Sequence, residues 1–317
     1  MQVNNILSLF KKNKVVNEVI NQTKNDKYKL YCNGMTFNHT ILLASTLFKT
    51  DDKFIIYICD NAFHANQAYD TFCDILGYEH VNLYAVDDFI ATEAIVISNE
   101  LKQERLITIK NILENNPKVI VTHTSAITKP IISKGRFQEN IINIKNGIEI
   151  NVNEFVKRLV KIGYTRVDTT YNVGEFSLRG EVIDIYPACF ENPIRINIGF
   201  DEVESIHYYY CDTQLTYGDD LKEINILPTN EIILDETIDE LDEKLINIEN
   251  NDLIKYDFLD VKESGIYDKL NKYIDYIDKD NTSILEYFGN NYISLLNETK
   301  DIELSNESLQ KKYQNIL

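Results

Sequence analysis

The residues best suited to chemistry in this sequence are two arginines set on short alternating strands. Phe176 and Leu178 alternate with Ser177 and Arg179, the period-two signature of a half-buried strand. Gly180 permits a sharp reversal, and a second apolar run, Val182 to Ile185, stops ahead of Pro187. A third strand is read in residues 194–198, with the isoleucines on one face and Arg195 and Asn197 on the other. Arg179 and Arg195 are therefore expected on the polar side of one small antiparallel sheet, as a surface for a partner. A guanidinium fork suits bidentate pairing with carboxylates, a role that lysine fills poorly.

Other kinds of chemistry find little support. His39, His64, His80, His123 and His207 show no HExxH or other close ligand spacing, so each is read as a surface or packing residue. No GxSxG nucleophile elbow is present. Cys32, Cys59, Cys73, Cys189 and Cys211 are odd in number and scattered, without a CxxC pair, so neither a disulfide framework nor a metal site is expected. Tyr208-Tyr209-Tyr210 could stack on bases, but beside Ile206 in a strand, alternate packing and exposure account for them better. Asp87 and Asp88 could pair for acid–base work, yet nothing sequesters them. No enzyme is read in these residues.

The 317 residues suffice for two or three domains with real cores, and a hydrophobic content of 44% fits a soluble globular chain. No apolar run approaches the roughly 20 residues of a membrane span. Lys11, Lys12 and Lys14 follow the short N-terminal apolar segment, the wrong side for a secretory signal, so a cytoplasmic location is expected. A net charge of −18 argues against a free-standing nucleic-acid binder, because phosphate contacts need clustered Lys and Arg. From Glu231 onward acidic residues outnumber basic ones by 21 to 9, so that tail carries most of the excess. The middle of the chain is mixed, with Lys157, Arg158, Lys161, Arg166 and Arg179 close in sequence.

The elements that must position these groups follow from periodicity. Segments 28–32, 54–59, 81–86 and 119–122 read as short strands, with helices at 39–48, 62–76 and 98–115 between them. Residues 1–27 should add a helix and a polar connection. This βαβ alternation predicts a mainly parallel sheet covered by helices. A helix at 152–162, beginning after Asn151, opens an α+β segment of short alternating strands. Beyond about residue 227 the strongest strand signal is 292–296.

The stretch GEFSLRGEVIDIYP (174–187), followed by PIRINIGFDEVESIHYYYCDTQ (193–214), resembles the UvrA-binding domain shared by the nucleotide-excision-repair protein UvrB and the transcription-repair coupling factor Mfd. VISNELKQERLITIKNIL (96–113), LVKIGYTRVD (159–168), ILPTNE (226–231) and SILEYFGNNYISLLNET (283–299) fit the same resemblance in the same order. It covers most of residues 28–300. The resemblance implies an α/β fold: a degenerate P-loop, helicase-like domain in two parts, 1–125 and the acidic 223–317, with a small α+β UvrA-interaction domain at 126–222 inserted between them.

In UvrB the first βα junction carries a Walker A loop. Its glycines let backbone N–H groups cradle phosphates, its Lys reaches the β- and γ-phosphates, and its Ser/Thr hydroxyl meets Mg²⁺. In that register Asn33 and Asn38 replace the glycines, His39 replaces the lysine, and only Thr40 fits. A mostly neutral imidazole cannot supply the permanent charge of an ammonium, and Phe37 would crowd the phosphate path. Asn297 stands at the position of the Walker B aspartate, without the charge that holds Mg²⁺. The run Ile-Ile-Leu-Asp-Glu at 232–236 superficially reads as Walker B, but is better an extended run meeting a helix N-terminus. Span 84–93 is too short for the Tyr-rich hairpin with which UvrB clamps DNA. Neither ATP hydrolysis nor a cofactor is expected of this chain; ATP and Mg²⁺ would belong to a motor C-terminal to it in a full-length family protein.

The reading the resemblance favours is the N-terminal, UvrB-like module of the coupling-factor family, which displaces RNA polymerase stalled at DNA lesions and brings in excision repair. UvrA is the implied partner. RNA polymerase and DNA would be met through other domains, and intramolecular contacts would mask the UvrA surface until polymerase is engaged; no membrane is involved. Arg166, Arg179 and Arg195 stand where the family places docking arginines, while Ser177 replaces an arginine of UvrB and Asn197 a carboxylate. Two other readings are a UvrB-like protein with residual nucleotide binding, and a scaffold that has drifted from repair and uses the same sheet for another partner.

Overall fold

Six consecutive apolar residues, Phe54–Cys59, form a strand buried along its whole length, as a run covered on both faces must be. The computed structural model describes residues 2–24, 29–86, 99–235, 238–248, 252–264, 270–271 and 273–314. Its strands are β1 (Phe54–Cys59), β2 (Val81–Tyr84), β3 (Val119–His123), β4 (Ile142–Lys145), β5 (Thr165–Arg166), β6 (Glu175–Arg179), β7 (Val182–Ile185), β8 (Ile194–Gly199), β9 (Glu202–Tyr209), β10 (Thr216–Tyr217), β11 (Glu223–Ile226) and β12 (Tyr292–Leu296). The chain divides into two compact units, Met1–Lys129 with Ser283–Leu317, and Pro130–Thr282.

The first unit is an α/β layer. Its sheet has the order β12-β1-β3-β2, and every pairing in it is parallel. Helices Phe37–Phe48, Ala62–Leu76 and Asn99–Leu113 connect or flank the strands. Ile41, Leu47, Ala65 and Phe72 from the first two pack with Ile55, Tyr57, Val119 and Val121 of the sheet in one core. Residues 54 and 292, about three-quarters of the chain apart in sequence, are direct neighbours in this sheet.

Two local expectations are corrected here. The N-terminus holds two helices, Gln2–Lys11 and Lys14–Thr23, rather than one. Asn13 separates them, because its Oδ1 accepts the Val15 N–H at 2.9 Å and starts a new helix with a side-chain cap. The strand expected at 28–32 does not form over its described part: residues 29–32 are exposed and outside any sheet. A short apolar run is a weak cue without a free neighbour to pair with, and both sides of β1 are already taken by β12 and β3. Residues 87–93 of the span compared with the UvrB hairpin, Asp87 and Asp88 included, lie outside the described residues.

The second unit is built on a six-stranded sheet of order β10-β9-β8-β7-β6-β5, beside a two-stranded sheet of β4 and β11. Helix Val152–Lys161 starts on Asn151, whose Oδ1 accepts the Glu154 N–H at 3.1 Å. Its Phe155 and Leu159 bury against Ile183, Ile185, Ile194 and Ile196. The antiparallel pairing of Ile144 with Ile224 and Ile142 with Ile226 carries this unit past residue 222, where the sequence placed a boundary. Helices Ile238–Ile248 and Asp252–Ser264 form a separate cluster through Leu241, Leu245, Phe258 and Val261. Among the described residues, no helix is long and apolar enough to cross a membrane.

Candidate functional site

A pleated strand sends alternate side chains to opposite faces. The register sets Ser177, Asp184, Arg195 and His207 in one cross-strand row, and Arg179, Val182, Asn197 and Ser205 in the next. The alternating residues Phe176, Ile183, Ile185, Ile194 and Ile196 point the other way, into the core under the helix. Gly180, at φ 63, makes the tight β6–β7 turn that lets these rows align. Arg179, Arg195 and Asn197 thus lie on one polar face.

The centre of that face is Asp184, whose side chain is 1% exposed. Arg195 donates from Nε to Asp184 Oδ1 at 2.6 Å and from Nη2 to Oδ2 at 2.9 Å, a bidentate pair. Its Nη1 donates to the Gln214 carbonyl at 2.9 Å, and its guanidinium lies 4.7 Å over the ring of Tyr209. Arg179 Nη2 also donates to Asp184 Oδ2. The two arginines differ in exposure: 17% for Arg195 and 47% for Arg179. Hydrogen bonding to Asp184 raises the already high pKa of Arg195 further, so its charge is permanent.

Gln214 completes the cluster from a loop. Its Oε1 is 3.3 Å from Arg195 Nη2 and 3.5 Å from Arg179 Nη2. The residue adopts φ 59, a left-handed conformation uncommon for a residue with a side chain. Two bonds hold it there: its N–H to the Tyr210 carbonyl at 2.8 Å, and its Nε2 to the Cys211 carbonyl at 2.7 Å. Arg179, Val182, Arg195, Asn197 and Gln214 line a shallow depression of about 380 Å³.

The remaining expected residues are placed less centrally. Ser177 is buried, and its Oγ has no hydrogen-bond partner among the described residues, so it cannot meet a partner directly. Asn197 donates from Nδ2 to Ser205 Oγ at 2.9 Å. Arg166 is exposed on β5 at the edge of the sheet, and its register partner is Phe176, a core residue, so it falls outside the Asp184 row. Asp184 and Gln214 were missed from sequence. Asp184 had a signal, an acid between Ile183 and Ile185 in a strand facing an arginine strand; Gln214 had none.

The other expected group partly assembles. Thr40 and Asn297, 257 residues apart, meet with Thr40 Oγ1 3.3 Å from Asn297 Oδ1. The same hydroxyl is 2.7 Å from the Phe37 carbonyl and 2.7 Å from the Tyr57 hydroxyl. Burial pushes the Tyr57 phenol far up, so these partners of Thr40 are neutral. His39 turns back toward the start of helix Phe37–Phe48, with Nδ1 3.1 Å from Thr36 Oγ1. Asn33 and Asn38 are exposed and do not join this group.

Residues 142–232 match the family model of the UvrB interaction domain. They run from β4 to just past β11 and include the whole arginine face. The chain is 28% identical to the transcription-repair-coupling factor of Bacillus subtilis (strain 168), a match covering 98% of this chain and 28% of that protein. It is 26% identical to the transcription-repair-coupling factor of Staphylococcus aureus (strain bovine RF122 / ET3-1) and 25% identical to that of Staphylococcus haemolyticus (strain JCSC1435), each over 87% of this chain and 25% of the relative. The chain therefore spans about a quarter of the length of these relatives. Residues 142–232 are thus similar to UvrB interaction domains, within a sequence that, over nearly all its length, is similar to transcription-repair-coupling factors.

Proposed function

We propose that this chain is the UvrA-recruiting, non-catalytic module of a transcription-repair-coupling factor working in the cytoplasm. The observation that carries the reading is the half-exposed Arg179 held beside Arg195 on the polar face of the UvrB interaction domain. In this reading Arg179 and Arg195 dock the partner, Asn197 borders them, Arg166 adds a charge at the rim, and Ser177 shapes the floor. The first unit is a P-loop-like domain that has lost nucleotide chemistry: Thr40 and Asn297 serve packing, His39 serves helix capping, and neither Asn33 nor Asn38 cradles a phosphate. No cofactor acts in this chain. RNA polymerase and DNA would be engaged by other parts of such a factor, and polymerase engagement would free this face for UvrA.

The test is direct binding of the purified chain to UvrA of the same organism by interferometry. Arg179→Ala is expected to weaken it about tenfold or more, with a thermal midpoint lowered by at most a few degrees. Unaltered binding by a folded Arg179→Ala chain would remove the residue-level support for this reading.

A further inference from the structure

We propose that Asp184 is a positioning residue whose buried carboxylate assembles Arg179, Arg195 and Gln214 into a preformed receptor for one carboxylate side chain of a protein partner. Only the partner's identity rests on the UvrA reading above; the receptor itself rests on the geometry of the cluster.

A carboxylate taken out of water is costly unless charged donors surround it. Asp184 meets that demand with two guanidiniums, Arg195 bidentately and Arg179 through one nitrogen. Long, flexible side chains lose rotamer freedom when a partner immobilises them. Here that ordering is already in place before any partner arrives. Arg195 commits Nε, Nη1 and Nη2 to Asp184 and Gln214, so it braces the cluster. Arg179 turns only Nη2 to these groups and is 47% exposed, which leaves its Nε–H and its Nη1, on opposite sides of the fork, for an incoming group.

Charge sets the stoichiometry. Two cations share one anion, so the cluster keeps one uncompensated positive charge. One partner carboxylate matches it; a second would be opposed by Asp184 itself. Val182 on the wall of the depression offers apolar contact to the methylene stem of an aspartate or glutamate. The left-handed Gln214, fixed by two hydrogen bonds of its own, closes the cluster on the loop side with an acceptor and no charge. A neutral acceptor there steadies both forks without using up the remaining positive charge.

The deciding variant is Gln214→Glu in the full chain, which puts a built-in carboxylate where Oε1 now sits and cancels that charge. In the parent, the Nε–H NMR signals of Arg179 and Arg195 should shift on titration with sodium acetate. They should stay still in Gln214→Glu, which should also bind UvrA about tenfold or more weakly with its thermal midpoint unchanged or raised. A merely structural role for Gln214 would not separate binding from stability in this way. Asp184→Asn should cost the Arg195 Nε–H its protection from solvent exchange and abolish the acetate response; if that variant does not fold, Gln214→Glu decides alone. Acetate shifts in a parent that ignores UvrA would support the receptor and discard UvrA as its occupant. The proposal is overturned if the parent's arginine signals ignore acetate, or if folded Gln214→Glu answers acetate and binds UvrA like the parent.

Discussion

Asp184 and Arg195 are register partners on β7 and β8, joined by two parallel hydrogen bonds of 2.6 and 2.9 Å. The acid is buried and the base nearly so, while the second arginine on the same acid, Arg179, is half in solvent. The two arginines look equivalent in sequence, and the structure gives them unequal work.

That inequality predicts opposite outcomes for two similar substitutions. Arg195→Ala removes the bidentate partner of a buried carboxylate and should cost about 3 kcal/mol of stability. Arg179→Ala removes a half-solvated arginine and leaves Asp184 its bidentate partner, so it should cost about 0.5–1 kcal/mol. Urea denaturation of both variants checks this, and equal losses would mean that Asp184 is satisfied by either arginine alone.

Binding should rank differently from stability. Loss of UvrA affinity is expected to be about tenfold or more for Arg179→Ala and about twofold for Arg166→Ala, a rim charge outside the Asp184 row. Affinity should also fall as salt is raised, since partly exposed charges are screened over about 8 Å at physiological ionic strength. Titrations at two salt concentrations would show it; a larger effect from Arg166 would move the docking surface to the β5 edge.

Acid should loosen the second unit through Asp220. Its carboxylate accepts the Ile206 N–H at 2.9 Å and the Asn146 amide at 2.6 Å, and these bonds hold its pKa below the usual 3.8. The folded value is the depressed one, so the unfolded chain takes up the proton first. The contribution is complete above the unfolded value and disappears as pH falls through the folded one. Urea midpoints at about pH 5 and about pH 3 should therefore differ more in the parent than in Asp220→Asn.

Calorimetric titration with Mg-ATP should give no heat of binding up to millimolar concentrations. His39→Ala should leave that result unchanged and lower stability by about 0.5–1 kcal/mol, the cost of a lost helix-capping contact. Tight nucleotide binding abolished by the same substitution would restore a phosphate-handling role to this loop.

Much of this architecture was legible because burial imposes period. β1 is a continuous apolar run, β3 opens with one, and the arginine strands alternate strictly, so faces could be read from residue types. The strand expected at 28–32 shows the limit: it is a short, mostly apolar run, but pairing depends on neighbours that sequence does not reveal. The pairing of β4 with β11 joins residues about 80 apart and was equally invisible. Within the site, the arginines could be seen because guanidinium chemistry is distinctive. Gln214 could not, since its part depends on a left-handed backbone and on which loop reaches across the sheet.

The parallel partnership of β1 with β12 has a consequence for synthesis. When the ribosome has finished His123, β1 has β3 on one side and nothing yet on the other. The 130–282 unit must be translated before Tyr292–Leu296 emerges. At about 5–20 residues per second, that wait is on the order of ten seconds or longer. Throughout it, an apolar strand keeps a row of unpaired backbone groups, the feature that templates aggregation. The segment born second can therefore finish folding first, and the newborn chain needs shelter chiefly along one flank of its earliest strand.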